Sequence, residues 1–485
     1  MRMNRTDAIS TLPIHCKKEL VARWQETVAA FGRKIVVLDD DPTGVQTVHD
    51  VPVFTQCDAA SILSGFEDAS PLFFLLTNSR SLGEQETAVL HRSIAQGVLA
   101  ASRAQQKPFL LISRSDSTLR GHYPLEMEVL RQTLEEGDSL RYDGELLIPY
   151  FGEGGRLTIG DVHYVAQGET LIPANETEFA QDVTFGYKNA ELKAYIEEKY
   201  AGRVMAKEVV SFSLEDLRTQ PTEKITAALC GMSHYQHGIV NAIADEDLMA
   251  FLLGLAGALA AGKNYLFRTA ASFVRIAGGI MPRPPLSRQE LADNGNLNGG
   301  VVIVGSYTQK TTRQLAQLKQ LKDMAFFEFD VQSVRNEEAL QAEIQRVAGA
   351  VERTVTAGQT AVVYTSRHLC VPQEGSAQEK LRACAKVSQA ISSLVALLSV
   401  RPSFLIAKGG ITSSDIGTRA LRVRRAWVAG QILPGIPVWR TGAESKFPNL
   451  PYVIFPGNVG DDTALLEIVA LLTGQERGEG SRADS

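Results

Sequence analysis

Three consecutive carboxylates, Asp39-Asp40-Asp41, follow the apolar run Lys34-Ile-Val-Val-Leu38 and precede Pro42-Thr43-Gly44. Like charges this close repel and raise one another's pKa unless a cation or a hydrogen-bond donor compensates them. Such a cluster suits a general base acting on a hydroxyl, or a magnesium ligand. The plainer alternative is an acidic turn in which an Asp caps the next helix. Two further polar segments carry cations: Thr77-Asn78-Ser79-Arg80, and Ser113-Arg114-Ser115-Asp116-Ser117-Thr118-Leu119-Arg120. A guanidinium binds a carboxylate through paired hydrogen bonds, so Arg80, Arg114 and Arg120 would position an acidic ligand as well as attract it. Ser115, Asp116 and Ser117 add groups able to bind polyol hydroxyls. A single arginine is more often a surface ion pair, but three at successive segments favour a pocket for an anion. Glu126 and Glu128 read as exposed helix positions.

The C-terminal half holds a different set. It contains Gly305-Ser306-Tyr307-Thr308, Lys408-Gly409-Gly410-Ile411-Thr412-Ser413 and Pro456-Gly457-Asn458-Val459-Gly460-Asp461-Asp462-Thr463. Glycines let a backbone approach phosphates closely and aim N–H groups at them. One glycine turn says little; three in one half make a nucleotide site the expectation. Neither G-x-x-x-x-G-K-[ST] nor G-x-G-x-x-G occurs, so this is no Walker loop or dinucleotide fingerprint. Lys408 either offsets phosphate charge or lies on the surface. His234 and His237 stand i, i+3 near Cys230 and Asp245, and His163 follows Asp161, but no third metal ligand is in register. His49 and His122 lie near the acidic and arginine segments and are candidates for touching a ligand.

These segments need elements to hold them. Lys34 to Leu38, Pro71 to Leu76 and Pro108 to Ile112 read as buried strands, each running into one of the polar segments. Glu84 to Gln105 reads as a helix, with Val89, Ile94, Val98 and Leu99 near helical spacing. Strands alternating with helices predict βαβ units and a parallel sheet, whose ligands collect at the carboxyl ends of the strands. Met281-Pro-Arg-Pro-Pro285 and the turn cluster 293–300 interrupt this pattern. A second one follows, with strands at Val301 to Val304, Ala361 to Tyr364 and Ser403 to Ala407. Helices are expected from Thr311 to Lys322 and from Gln378 to Leu398. The expected class is α/β, with two α/β domains, each around a largely parallel sheet, and a ligand cleft between them. The expected limits are 1–282, a linker at 283–300, 301–473, and a disordered tail at 474–485.

The 485 residues carry 49 Lys+Arg against 55 Asp+Glu, a net charge of −6. That balance argues against a general nucleic-acid binder, which needs clustered positive charge to displace counterions. The 5 cysteines are scattered and form no C-x-x-C, against a disulfide framework or a cysteine zinc site. The polar start, Met1 to Glu19, lacks the apolar stretch of a signal peptide. Leu248 to Ala261 is too short to span a bilayer and reads as a buried helix. A cytoplasmic protein with no membrane partner is expected, and a homo-oligomer is compatible with the sequence.

Two resemblances arise from these residues. Asp39-x-Asp41-x-Thr43 is similar to the signature of haloacid-dehalogenase-type phosphatases, in which the first Asp is a nucleophile and the second an acid/base. The wider set runs DDDPTG, TNSR, SRSDSTLRG, VGSYT, AKGGITSSDIG and FPGNVGDDTALL over roughly residues 34–472. That order resembles the four-carbon acid sugar kinase family, ATP-dependent enzymes that phosphorylate the terminal hydroxyl of threonate, erythronate and related 3-oxo acids. The resemblance assigns the sugar acid to Asp41, Arg80, Arg114, Ser115, Asp116 and Ser117, with Asp41 as catalytic base. It assigns ATP to Ser306, Gly409, Gly457, Asn458, Val459 and Gly460, and implies Mg²⁺. This chain departs from the usual Ala-Asp-Asp-Leu-Thr-Gly-Ala turn at Asp39 and Pro42. It has Arg114 where many members have Lys, and extra sequence between about 135 and 210. A branch acting on 3-oxo-isoapionate is therefore also implied, and a non-catalytic sugar-acid sensor is the remaining alternative.

Overall fold

The computed structural model describes residues 2–10, 12–13, 17–41, 44–138, 140–292, 295–305, 308–366, 377–457 and 459–475. Two compact units divide the chain, Met1–Pro282 and Arg283–Ser485.

In the first unit, eight parallel strands form one sheet. They are β1 (Lys34–Asp39), β2 (Val51–Phe54), β3 (Leu72–Leu76), β4 (Phe109–Arg114) and β5 (Gly144–Ile148), then, after an insertion, the last three strands. The insertion holds β6 (Arg156–Ile159), β7 (Val162–Gln167) and β8 (Thr170–Pro173); β9 (Val210–Phe212), β10 (Gln236–Val240) and β11 (Tyr265–Thr269) complete the main sheet. The spatial order is β9-β10-β5-β11-β4-β1-β3-β2. Most of these strands are apolar and buried along their length, as a parallel sheet covered on both faces requires. The chain jumps over β1 in passing from β3 to β4, so β1 lies between them. That is a switch point, where loops diverge and leave room for a ligand. β1 continues through Asp39 and β4 through Arg114, one to two residues past the apolar runs, because these residues pair in register.

Helix α1 (Lys17–Ala29) carries Trp24, whose buried indole Nε1 donates to the Ile276 carbonyl at 2.9 Å, 252 residues along the chain. Helix α2 (Glu84–Gln105) has the expected limits and buries Ile94, Val98 and Leu99. Val89 is 63% exposed. Five residues before Ile94, it lies about 140° round the helix from that face. Helix α3 is Leu125–Gly137, and α4 (Asp245–Ala260) is the buried apolar helix. The insertion makes an antiparallel sheet, β6-β7-β8, and the short strand Met3–Asn4 pairs with β8. No helix among the described residues is long and apolar enough to cross a membrane.

The second unit has β12 (Val301–Val304), β13 (Met324–Phe329), β14 (Thr360–Thr365) and β15 (Leu405–Lys408). Next come β16 (Arg425–Leu433), β17 (Ile436–Thr441) and β18 (Pro451–Phe455), in the order β16-β17-β18-β15-β12-β14-β13. Pairing is parallel from β18 to β13 and antiparallel through the β16–β17–β18 meander. Helices α5 (Gln309–Leu318), α6 (Gly410–Asp415) and α7 (Ala464–Thr473) follow β12, β15 and β18. Leu286 and Leu291 are buried in this unit's core beside Phe404 and Ile432. Residues 476–485 of the expected tail lie outside the described residues.

Candidate functional site

Register brings the polar segments of the first unit together. Asp39 pairs with Leu76 on one side and Arg114 on the other, while Thr269 flanks Arg114. The four segments after β1, β3, β4 and β11 therefore leave one end of the sheet side by side.

The three carboxylates occupy different environments. Asp39 is 0% exposed. Its carboxylate fills the space where a Cβ on Gly44 would lie, so only glycine fits there. Oδ1 accepts from the Asp41 amide and from Arg114 Nη1, both at 3.2 Å, and Oδ2 has no hydrogen-bond partner among the described residues. Burial pushes its pKa up to about 7; Arg114 opposes the rise, and Asp40 and Asp41 add to it. Asp40 Oδ2 accepts from Ser115 Oγ at 2.6 Å and lies 3.2 Å from Arg80 Nε. Burial holds Asp40 above the usual carboxylate range against the pull of Arg80, Arg114 and Arg268. Asp41 alone is appreciably open, with 29% of its side chain exposed, and it pairs with Arg80 Nη2. Burial alone would lower the Arg80 pKa, but Asp40, Asp41 and Asp116 outweigh it and hold the guanidinium firmly charged.

The segment after β4 turns back on this group. Asp116 accepts from Arg120 Nε at 2.6 Å and from Thr118 Oγ1. Burial would raise its pKa, yet Arg80 and Arg120 bring it down to about 2. Gly121 has φ +126°, and a Cβ there would come within 2.6 Å of Arg268 Nη2 and 2.9 Å of Ser115 Oγ. Glycine is what lets this loop lie on the charged group. Ser117 is buried in the same loop.

A second buried ion pair stands behind the first and corrects an expectation. Glu126 is 1% exposed, not an outer helix position. The cause is its partner: Arg268, from within β11, pairs with Glu126 Oε2 and donates to Ser113 Oγ at 2.9 Å. Ser79 Oγ donates to Glu126 Oε1 at 2.6 Å. Burial works to raise the Glu126 pKa, but Arg268 and then His91 bring it down to about 2. Glu128 is partly exposed and pairs with Arg203. Sequence reasoning missed Arg268, Ser79 and His91. An arginine inside the apolar run Tyr265-Leu-Phe-Arg-Thr269 was the available signal, because a charge in a buried strand must have a partner.

The glycine segments of the second unit also converge. Val304 pairs with Lys408, and Lys408 with Phe455, so the loops after β12, β15 and β18 start at one level. A Cβ on Gly305 would collide with Thr412, and Gly409 has φ +123°. The Gly409 amide donates to the Phe455 carbonyl at 2.9 Å. Gly460 has φ +77°, and a Cβ there would fall 2.5 Å from that of Ala464. Gln314 of α5 secures the third loop by donating to the Val459 and Asp461 carbonyls at 3.3 and 2.6 Å. Thr311 Oγ1 reaches the Gly457 carbonyl at 3.5 Å. Ser306 and Asn458 lie outside the described residues. Lys408 is not on the surface: it is 0% exposed, with Nζ 3.2 Å from the Pro456 carbonyl and 3.6 Å from the Phe455 ring centre. Burial, assisted by Lys310, lowers its pKa to about 7.

His49, His122, His163 and His237 have neighbours within the first unit. His49 contacts Asp50 and the Met281 carbonyl, and His122 the Leu82 carbonyl. His237 lies beside Glu145, and His163 bridges Thr158 Oγ1 and the Ser117 carbonyl. Among the described residues, no three His, Cys, Asp or Glu side chains are grouped to hold a metal ion.

Comparison with known proteins agrees with this division. Residues 35–276 match a family model described as a sugar-binding N-terminal domain, and residues 301–465 one described as a nucleotide-binding C-terminal domain. A D-erythronate kinase from Heliobacterium modesticaldum is 24% identical over 331 residues, covering 65% of this chain and 67% of that protein. Two solved structures share the fold. A Salmonella typhimurium LT2 protein described as a tRNA synthase superposes with a TM-score of 0.61 at 16% identity, over 91% of this chain and 98% of its own. A Haemophilus influenzae protein from a domain-of-unknown-function family gives 0.58 at 18% identity, over 90% and 98%.

Proposed function

The chain belongs to the four-carbon acid sugar kinase family, and on that premise we propose that it transfers the γ-phosphoryl group of ATP to the terminal hydroxyl of a small sugar acid. Membership makes it a phosphotransferase acting on a hydroxyl. The finer assignment is a four-carbon acid, such as erythronate, threonate or a 3-oxo-tetronate, or the branched 3-oxo-isoapionate.

One observation carries the assignment of roles. Of three adjacent carboxylates, only Asp41 is open to a ligand, and Arg80 stands beside it. Asp41 accepts the proton of the attacking hydroxyl, while Arg80 and the Arg114–Ser117 segment hold the acid. Asp39, Asp40, Glu126 and Arg268 stay buried and fix the first group's orientation. The phosphatase reading needs Asp39 as nucleophile, and a wholly buried carboxylate packed against Gly44 and Arg114 offers a phosphate ester nothing to approach. In the second unit, the left-handed Gly460 and Gly409, and Gly305 packed against Thr412, leave the uncluttered backbone that phosphates require. Ser306 and Gly457–Gly460 belong to the same nucleotide assignment. The chain builds no three-ligand metal cage among the described residues, so Mg²⁺ would arrive with the nucleotide and take most of its ligands from phosphates and water. Free thiols at Cys57 and Cys230 and the use of ATP fit a cytoplasmic enzyme.

The test is ADP release with Mg-ATP against a panel of four-carbon and branched sugar acids, their 3-oxo forms and an acid-free blank. Acid-dependent ADP release is expected, and the best acid names the branch. Phosphate released from sugar phosphates without nucleotide, with no response to any acid, would overturn the reading.

A further inference from the structure

The loop that carries Ser115, Asp116 and Ser117 is held from outside by the insertion between β5 and β9. Three side chains of the insertion donate to three successive carbonyls of the loop. His163 Nε2 bonds the Ser117 carbonyl at 2.8 Å, the Tyr187 hydroxyl bonds that of Thr118 at 2.8 Å, and the Tyr195 hydroxyl bonds that of Leu119 at 2.8 Å. All three donors are buried. The Ser117 carbonyl can only accept, so the neutral His163 carries its proton on Nε2, and Thr158 Oγ1, 3.0 Å from Nδ1, donates to the other nitrogen. Burial lowers the His163 pKa to about 4, so the ring stays neutral near pH 7 and keeps one donor and one acceptor.

The loop needs such a hold. Leu119 has φ +70°, a left-handed conformation that a branched side chain adopts only when its surroundings enforce it. The insertion also reaches Arg120, which lies 3.7 Å from Asp182 and packs 5.1 Å from the Phe179 ring centre. Arg120 in turn fixes Asp116.

We propose that this insertion is the selectivity element of the site: His163, Tyr187 and Tyr195 set the position of residues 117–119 and thereby which sugar acid fits against Arg114, Ser115 and Asp116. The inference rests on the assignment of that segment to the acid. The held carbonyls make one side of the pocket rigid, so acids differing by a branch or an oxo group meet a fixed wall rather than an adaptable loop. The three residues are positioning residues and need not touch the acid.

Tyr187→Phe/Tyr195→Phe removes two hydroxyls and keeps both rings, including the stacking of Tyr195 on Tyr123 at 5.8 Å. In the full-length variant, backbone amides at 117–121 are expected to exchange with deuterium about tenfold faster or more, and those of β1 and β15 at unchanged rates. KM for the preferred acid is expected to rise about tenfold, KM for ATP to stay within about twofold, and the preference between erythronate and a branched acid to narrow. His163→Gln, which can place a donor near the same carbonyl, should stay close to wild type, whereas His163→Leu should behave like the double variant. Unchanged loop exchange, or faster exchange with an unchanged acid preference, overturns the proposal. A wild-type loop protected from exchange by erythronate without ADP release would sink the kinase reading and leave this inference standing. A wild-type loop that no acid protects overturns the inference itself.

Discussion

The two units line the ends of their parallel strands with opposite materials. Around the strand ends of the first unit the gathered groups are charged side chains, nearly all buried and each held by a neighbour: Asp39 by Arg114, Asp40 by Ser115 and Arg80, Glu126 by Arg268, Asp116 by Arg120. At the corresponding ends of the second unit the loops turn on glycines, with Gly305, Gly409 and Gly460 placed where a side chain would collide or strain. A small acid has few atoms, so discriminating among acids requires a dense, rigid set of charges. A triphosphate presents many equivalent oxygens, and amides at glycine turns suffice. Errors should therefore differ in kind: a change of charge should damage the first unit, an added methyl group the second.

The largest effect expected from that contrast is at Asp41. Asp41→Asn should lower turnover by about 10²- to 10⁴-fold while ATP affinity, read by nucleotide titration, stays within about twofold. Near-normal turnover would mean that the open carboxylate is not the base. Next comes the buried pair. Arg268→Met leaves Glu126 without its cation and should cost about 3–5 kcal/mol in urea unfolding. Arg268→Met/Glu126→Gln should recover much of that loss; a double variant as unstable as the single one would show that the pair is not acting as a pair. A smaller effect belongs to the second unit. Gly409→Ala imposes a side chain at φ +123° and should weaken ATP binding by about tenfold, with acid affinity unchanged. Equal losses for both ligands would erase the contrast.

The last contrast is in pH dependence, where the two units should differ in sign. The Asp39 pKa is raised to about 7, so between about pH 4 and 7 the folded chain keeps a proton that the unfolded chain has lost. Its contribution therefore falls as pH rises through that window. The Lys408 pKa is lowered to about 7, so between about pH 7 and 10 the unfolded chain holds the extra proton and stability rises with pH. Thermal unfolding of the full chain should show a flatter profile in the lower window for Asp39→Asn and in the upper window for Lys408→Met. Unchanged slopes would show that these groups titrate normally.

Much of this was legible before any coordinates. Apolar runs ending in polar segments marked the strands around β1, because a parallel sheet buried on both faces writes itself as short continuous hydrophobic stretches. The acidic triplet, Arg80 and the Arg114 segment came together because adjacent strands start their loops at one level. What escaped was whatever depends on pairing across distance. Glu126 resembles any exposed helix glutamate until Arg268, 142 residues away, is found beside it. Lys408 gave no sign of total burial, since a lysine at a strand end usually reaches water. His163 was weighed as a metal ligand because spacing alone cannot reveal that its partner is a carbonyl 46 residues earlier.

The bond from Trp24 to the Ile276 carbonyl has a consequence for synthesis on the ribosome. Its donor is made 252 residues before its acceptor. At about 5–20 residues per second, the indole emerges roughly 12–50 s before the carbonyl it will meet. The Trp24 indole is without its final cover for that interval. The first unit therefore closes almost at the end of its own translation, and a chaperone that shelters an early helix should matter more to its yield than one that acts on finished chains.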